Sequence, residues 1–109
     1  MAQVPTSDAL LNEVVRRIVS VHPQSRIVLF GSRARGTETG HSDYDLVVVT
    51  ADLRDDEPPS ARVRKALRDI DASLDLIVLT PEEWNHSRCV PGSVLRVADA
   101  TGRVLHAAA

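Results

Sequence analysis

The sequence predicts an α/β fold of the α+β type, with a small mixed β-sheet flanked by helices. An apolar stripe of helical period fills the start of the chain. Three short runs rich in branched aliphatic residues follow, at 26–30, 44–49 and 74–79, with helix-start signals after the second and third. Elements in this order pack most simply as helices on a mixed sheet. With 109 residues, we expect a single domain spanning residues 1–109.

The first helix is expected to begin at Thr6, Ser7 or Asp8, which are residue types that cap helices. Its apolar stripe consists of Leu10, Leu11, Val14, Val15, Ile18 and Val19. Pro23 disfavours helical geometry at His22, so the helix should end near Val21. We expect this helix to cover one face of the sheet.

The first two strands enclose a polar loop. Residues 26–30 read as a buried strand that stops at Gly31, and residues 32–41 read as a loop or a short helix followed by a loop. Residues 44–49 carry aliphatic side chains without polar alternation. Such a pattern indicates that both faces of the second strand are covered.

The second half of the chain predicts the remaining elements. Residues 52–60 are acidic and contain prolines, which predicts a surface loop, and Ser60 is expected to cap the next helix. The apolar positions of that helix are Val63, Ala66, Leu67 and Ile70, and its opposite, solvated face carries Arg62, Arg64, Lys65 and Arg68. A third strand is expected at Leu74 to Leu79.

The last thirty residues begin with a clear helix-start pattern. Thr80 is expected to cap a short helix, with Pro81 at its first position and Glu83 completing a capping box. Trp84 in that helix is expected to join the core. A last helix is predicted over residues 91–98, with Gly102 able to end it, followed by a short edge strand over residues 103–106.

Composition and charge exclude several classes of function. A formal net charge of -2 does not favour nucleic acid or an anionic membrane as a partner. Cys89 is the single cysteine, which suits a reducing cytoplasm and a free, inert thiol. We find no signal-peptide pattern and no apolar run long enough to span a bilayer. The histidines lack metal-ligand spacing, and we expect surface positions for most of His22, His41, His86 and His106.

Two aspartates at the head of the second strand are the first candidate site residues. Asp43 and Asp45 are two positions apart, so in a strand both carboxylates point to one face, roughly 6–7 Å apart at the backbone. Two ionised carboxylates at that distance repel by about 2–3 kcal/mol at an effective dielectric constant of about 20. A divalent cation between them turns the repulsion into attraction, and hard carboxylate oxygens combined with phosphate oxygens suit Mg²⁺.

Asp75 is the third candidate, because an acid near the start of an apolar strand is out of place without a role. If its strand neighbours the second one, Asp75 reaches the same site. Three carboxylates on adjacent strands form a two-metal clamp suited to phosphoryl or nucleotidyl transfer. In that scheme Asp75 also orients or deprotonates the attacking hydroxyl.

A turn after the first strand supplies candidate phosphate ligands. Gly31 lets backbone N–H groups approach a phosphate closely, and the Ser32 hydroxyl can donate to a phosphate oxygen. Arg33 and Arg35 add guanidinium groups, which bind phosphate through two bonds, although ordinary solvated arginines are the alternative. The segment is not a P-loop, because Thr37 and Glu38 stand where Lys-Ser/Thr is required.

Gly31-Ser32, ten intervening residues, Asp43-x-Asp45 and a later acidic strand together resemble the nucleotidyltransferase superfamily that includes DNA polymerase beta. More closely, GSRARG followed by SDYDLVVV and DLIVLT is similar to the minimal nucleotidyltransferases, over about residues 26–80. The resemblance implies the polymerase beta palm-like fold. It also implies that Gly31 and Ser32 bind the triphosphate, and that Asp43, Asp45 and Asp75 are the catalytic, metal-binding acids.

This resemblance implies an activity and a partner. Minimal nucleotidyltransferases are often paired with an all-helical HEPN protein as a toxin–antitoxin system. Members of that kind transfer AMP from ATP to a tyrosine of the HEPN RNase toxin and thereby silence it. We therefore expect a Mg²⁺-dependent adenylyltransferase with two metal ions, ATP as substrate, and a HEPN-type partner with which it assembles.

Two other functions stay open at this point. The chain has about thirty residues after the third strand, too few for the helical domain with which larger relatives shape an acceptor pocket. A protein acceptor is favoured for that reason, but a small acceptor such as an aminoglycoside is the first alternative. The second is a nucleotide-binding or purely steric antitoxin that does not turn over.

Overall fold

The computed structural model describes residues 2–3, 9–31, 44–51, 58–70 and 73–107. These residues form four helices and a five-stranded mixed sheet, as the predicted α+β class requires. In chain order the elements are β1 (Ala2–Gln3), α1 (Ala9–Val21), β2 (Ser25–Phe30), β3 (Tyr44–Thr50), α2 (Pro59–Ala66), β4 (Leu74–Leu79), α3 (Pro81–Ser87), α4 (Val94–Thr101) and β5 (Arg103–Ala107). The loop predicted at 32–41 and most of the one at 52–60 lie outside the described residues.

The strands are ordered β1-β5-β2-β3-β4 across the sheet. β2 runs antiparallel to β3 and to β5, and β3 runs parallel to β4 through the crossover that contains α2. The prediction that residues 103–106 form an edge strand is wrong, because β5 lies between β1 and β2. The two residues of β1 are too few to leave a periodic pattern in the sequence, so this strand was not predicted.

Both faces of the sheet are covered, as predicted for the second strand. Leu46 and Val48 pack with α1 and α2, whereas Val47 and Val49 pack with α3 and α4. Successive side chains of a strand point to opposite faces, so β3 supplies both layers of the core. We call these two sides the α1/α2 face and the α3/α4 face.

Helix α1 confirms its predicted stripe and its end. Leu11, Val14, Val15 and Ile18 are buried, and the helix ends at Val21. The predicted capping residues 6–8 lie outside the described residues. The neighbouring Arg17 links α1 to α2 by donating to the carbonyl oxygen of Ala66 at 3.3 Å and by pairing with Asp69.

The histidine predictions hold only in part. His86 is exposed, but His22 and His106 are fully buried, so surface positions were wrong for these two; His41 lies outside the described residues. His22 Nε2 lies 3.1 Å from the carbonyl oxygen of Pro59, which provides a buried polar partner. His106 pairs with Ile27 beside a bulge in β5 that turns it into the interior.

Two predictions about α2 are wrong. Ser60 does not cap the helix: Pro58 is the N-cap, with an extended backbone and no side-chain cap bond. Pro59 at the first position has no N–H, which lessens the need for a cap. Arg62 does not lie on the solvated face either; it is only 8% exposed and donates to the carbonyl oxygen of Val21 at 2.8 Å. A cation at the C-terminus of α1 is favourable there.

Helix α3 begins with the predicted capping box. The Glu83 N–H donates to Thr80 Oγ1 at 3.1 Å, and the Thr80 N–H donates to Glu83 Oε1 at 2.9 Å. Trp84, one turn into the helix, is 4% exposed and belongs to the core on the α3/α4 face. The cap therefore fixes the helix that covers this face.

We expect Thr80→Ala to lower the free energy of unfolding by about 1 kcal/mol, because the bond from the Glu83 N–H to Thr80 Oγ1 is lost, whereas the bond from the Thr80 N–H to Glu83 is retained. Urea denaturation followed by circular dichroism measures it. Thr101→Ala is the matched control, since that hydroxyl donates only to the carbonyl oxygen of Val97 in the last turn of α4. Equal destabilisation by the two substitutions would contradict the capping account.

Helix α4 starts three residues later than predicted. Gly92 has a positive φ of 81° that interrupts the helix, and the Ser93 hydroxyl oxygen caps it by accepting from the Arg96 N–H at 3.0 Å. Gly102 ends α4, as predicted. Cys89, just before this turn, is a free and exposed thiol. In the described part of the chain, no helix is long and apolar enough to cross a bilayer.

Candidate active site

Asp45 and Asp75 lie side by side in the sheet. They are register partners on the parallel strands β3 and β4, about 4.8 Å apart in the hydrogen-bonding direction. Their neighbours Val47, Ile77 and Leu79 belong to the α3/α4 layer, so both carboxylates stand on that face. The adjacency on which the sequence argument for Asp75 depended is present.

Gly31 forms a third side of this site. It directly follows β2, and its predecessor Phe30 pairs with Asp45. The backbone of Gly31 has a positive φ of 77°, and a Cβ built on it would collide with the Asp45 carboxylate, lying 3.2 Å from Cγ. Glycine is therefore required twice here, for the turn and for the close approach of the acid.

The two acids differ in exposure, and this matters for what reaches them. Asp45 is half-buried between β2 and β4, whereas Asp75 on the outer strand is exposed. The Asp45 carboxylate lies against the Gly31 turn, whereas Asp75 is accessible from the outside of the sheet. The site thus has an inner and an outer side.

Tyr44 anchors the site from the opposite face, a role that was not predicted. Its side chain is 7% exposed and packs in the α1/α2 layer, away from Asp45. Its N–H donates to the carbonyl oxygen of Ser73 at 3.0 Å, which ties the start of β3 to the start of β4. Because successive side chains of a strand alternate between the two faces, the sequence could have placed this ring on the face that does not carry Asp45.

Four predicted site residues lie outside the described residues: Ser32, Arg33, Arg35 and Asp43. They flank the described part of the site in sequence, because Ser32 follows Gly31 and Asp43 precedes Tyr44. Their roles stay predictions.

The described donors fit a divalent metal. Carboxylates from Asp45 and Asp75 stand on one face, and the exposure of Asp75 leaves space for substrate or water oxygens. Mg²⁺ prefers one or two carboxylates together with phosphate and water oxygens. Among the described residues, no group of three His, Cys, Asp or Glu side chains could hold a metal, which leaves Asp43 as the further acid expected from the sequence.

Comparison with known families bears on this arrangement. The model of the nucleotidyltransferase domain family matches residues 10–90, a range that includes β2, β3, β4 and both described acids. A comparison with curated proteins finds no match.

Solved structures share the fold. One is a toxin–antitoxin crystal structure with AMP-PNP, which is 23% identical with a TM-score of 0.61, covering 89% of this chain and 73% of that chain. A Sulfolobus solfataricus protein assigned as a nucleotidyltransferase is 26% identical with a TM-score of 0.55, covering 87% and 75%. A Shewanella oneidensis complex of tri-AMPylated HEPN toxin with MNT antitoxin is 19% identical with a TM-score of 0.53, covering 91% of this chain and 71% of that chain. The predicted nucleotidyltransferase fold is confirmed.

Proposed function

We propose a function that proceeds from one established premise: this chain belongs to the nucleotidyltransferase domain family. The reaction we propose is transfer of AMP from ATP to a tyrosine hydroxyl of a HEPN-type RNase toxin, for which this chain is the antitoxin. The observation that carries the proposal is the pairing of Asp45 with Asp75 beside the Gly31 turn. This arrangement combines acids for a metal with a backbone turn suited to phosphate.

Each side of the site has its own part in the proposed reaction. Asp43 and Asp45 would hold Mg²⁺ on the inner side, and Asp75 would share it on the outer side. When bound, Mg²⁺ supplies positive charge that offsets the charge of the triphosphate. Backbone N–H groups at Gly31 and the hydroxyl of Ser32 orient the phosphates, and Arg33 and Arg35 bind the pyrophosphate oxygens.

The chemistry is an in-line displacement at the α-phosphorus of ATP. The acceptor oxygen forms a bond to that phosphorus as the bond to the bridging oxygen of the β-phosphate breaks, and pyrophosphate leaves. The acceptor proton passes to a carboxylate oxygen of Asp75, which stands on the outer side where the acceptor arrives. Asp45 is half-buried against the Gly31 turn, so we assign it to the metal ion and not to the acceptor proton.

A protein acceptor is favoured over a small one because Asp75 is exposed on the outer strand. Such a position suits a residue carried by another polypeptide. Two structural neighbours are consistent with this proposal: one toxin–antitoxin crystal structure contains AMP-PNP, and another complex contains a tri-AMPylated HEPN toxin with its MNT antitoxin. Both share the fold of this chain, and their contents support a nucleotide substrate and a protein partner.

Incubation with ATP labelled at the α-phosphate, Mg²⁺ and each candidate acceptor tests the proposal. We expect label on a co-expressed HEPN-type protein, at tyrosine, and none on aminoglycosides. Label on an aminoglycoside would support the small-acceptor alternative and contradict the proposed acceptor.

A double substitution separates catalytic from steric neutralisation. We expect Asp43→Asn with Asp45→Asn to abolish Mg²⁺-dependent ATP binding and to restore the toxicity of the co-expressed partner. The fold should remain intact, because a repulsion between carboxylates is relieved; thermal melting without metal checks this. If the partner stays inhibited by the folded double variant, neutralisation is steric and the catalytic account is wrong.

A further inference from the structure

Among the described residues, the outer side of β4 is an unpaired strand edge. In the described part of the chain β4 pairs on one side only, with β3, in an unbroken register over all six residues. Leu74–Leu79 contains no lysine, no proline and no bulge, and its single charged residue is the exposed Asp75. We call this side of β4 the open edge.

The aliphatic side chains of β4 are less buried than those of the neighbouring β3. Leu74, Leu76, Ile77 and Val78 are only half-buried, whereas the aliphatic residues of the neighbouring β3 are all buried. An edge strand that is apolar on both faces apart from one acid, Asp75, is suited to accept an added strand. The backbone N–H and C=O groups of such an edge select a partner in extended conformation.

Helix α2 places positive charge over the open edge. The helix contacts β4, and its Val63 and the Leu67 that follows it are buried against the sheet. Arg62, one position before Val63, faces α1, because its guanidinium donates to the carbonyl oxygen of Val21. At about 100° per residue, the residues one position later must face the opposite way, toward the outside of the sheet.

Those later residues are Arg64 and Arg68, and both are exposed. Arg64 lies in α2 and Arg68 lies in the turn after it, so both belong to the element that contacts β4 on the α1/α2 face. A strand added there would bring every second side chain beneath them. Acidic side chains at those positions would be favoured by charge.

On the other face, the same edge carries Asp75. Residues paired across two strands point to the same face, so the added residue opposite Asp75 points to the acid site. Its two neighbours lie opposite Leu74 and Leu76 and point to the face that carries Arg64 and Arg68. The open edge therefore favours an added strand in which a hydroxyl-bearing residue stands between two acidic residues.

We propose that the acceptor protein binds through an extended acidic segment outside its helices, which adds a strand to the open edge of β4 with its hydroxyl-bearing residue opposite Asp75. The acceptor role of this segment rests on the proposed transfer reaction, whereas its docking does not. The strand pairing supplies affinity, Arg64 and Arg68 select acidic flanks, and Asp75 receives the hydroxyl.

A synthetic peptide of alternating residues, Glu-Val-Glu-Tyr-Glu-Val-Glu, tests the docking by fluorescence anisotropy without ATP or metal. Two further peptides carry N-methyl groups on alternate backbone amides, in the two possible phases. Alternate amides of a strand point to opposite sides, so one phase blocks the pairing and the other leaves it. We expect one phase to bind about tenfold more weakly than the other. Equal affinity of the two phases would overturn the proposal.

Charge reversal on the protein tests the selection of acidic segments. Arg64→Glu with Arg68→Glu should weaken binding of the unmethylated peptide about tenfold, since two exposed ion pairs become repulsions. Arg96→Glu, an exposed arginine on α4, is the matched control and should leave the affinity unchanged. Equal effects of the two changes would overturn the assignment of these arginines.

The two proposals fail separately. If the peptides bind in a phase-dependent way but no α-label reaches any protein, the proposed transfer is wrong and the docking stands. If a HEPN-type protein is labelled at the same rate by the wild type and by Arg64→Glu with Arg68→Glu, the docking mode is wrong and the transfer stands.

Discussion

Asp45→Asn and Asp75→Asn are each expected to lower the rate of nucleotidyl transfer roughly a thousandfold, the scale on which a lost electrostatic contact to a transition state is felt. The two carboxylates are register partners on one face of the sheet, so the proposed metal site needs both. An amide keeps the shape of the side chain and removes its charge. It can neither neutralise a cation nor accept the acceptor proton.

Single-turnover transfer of α-label measures this loss, with the melting temperature recorded for each variant. Glu82→Gln is the matched control, because Glu82 is an exposed acid on α3, which covers the same face. We expect that variant to keep the wild-type rate. A thousandfold loss in Glu82→Gln would show that the rate depends on general charge and would contradict the assigned site.

Gly31→Ala should lower the transfer rate about a hundredfold or more, because displacing a catalytic group by about 1 Å is enough for such a loss. The added Cβ would occupy the space of the Asp45 carboxylate, and the φ of 77° disfavours any residue with a side chain. The backbone strain alone should lower the free energy of unfolding by about 1–2 kcal/mol. The loss of transfer rate should therefore be larger than the lower stability of the fold would cause by itself.

Gly92→Ala separates these two effects. Gly92 has nearly the same backbone angle, 81°, but a Cβ there meets nothing within 4 Å. We expect a similar loss of stability in urea denaturation and an unchanged transfer rate. If Gly92→Ala loses as much activity as Gly31→Ala, or if Gly31→Ala remains active, the contact between Gly31 and Asp45 does not matter.

Several elements were predicted correctly from residues that lie close together in the sequence. The strand at Leu74–Leu79, the end of α1 at Val21 and the capping box at Thr80 are each encoded within a few residues by aliphatic runs, a proline and a cap. Such signals depend on neighbours in sequence, so a single chain suffices to read them.

The errors concern contacts between distant residues. The central place of β5 depends on pairing with β1 and β2, and nothing in residues 103–106 shows it. Arg62 and His22 are buried because they meet backbone carbonyls of other elements, Val21 and Pro59 respectively. A polar residue type predicts exposure unless a partner is known, and these partners come from tertiary structure.

The site lies between these cases. Residue types and spacing predicted Gly31, Asp45 and Asp75 as candidate site residues, but whether Asp75 lies beside Asp45 depended on β3 and β4 being neighbours. The parallel crossover through α2 supplies that neighbourhood and sets the register. The exposure of Asp75 at the outer strand follows from the same topology, and the inference about the acceptor depends on it.

The most direct test of the central claim compares two labels on ATP in the presence of a co-expressed HEPN-type protein and Mg²⁺. A nucleotidyltransferase breaks the bond between the α-phosphorus and the bridging oxygen. We therefore expect α-label on the protein acceptor, γ-label in released pyrophosphate, and neither with Asp45→Asn. Transfer of γ-label to the acceptor, or inhibition of the partner with no label transferred, would contradict the account.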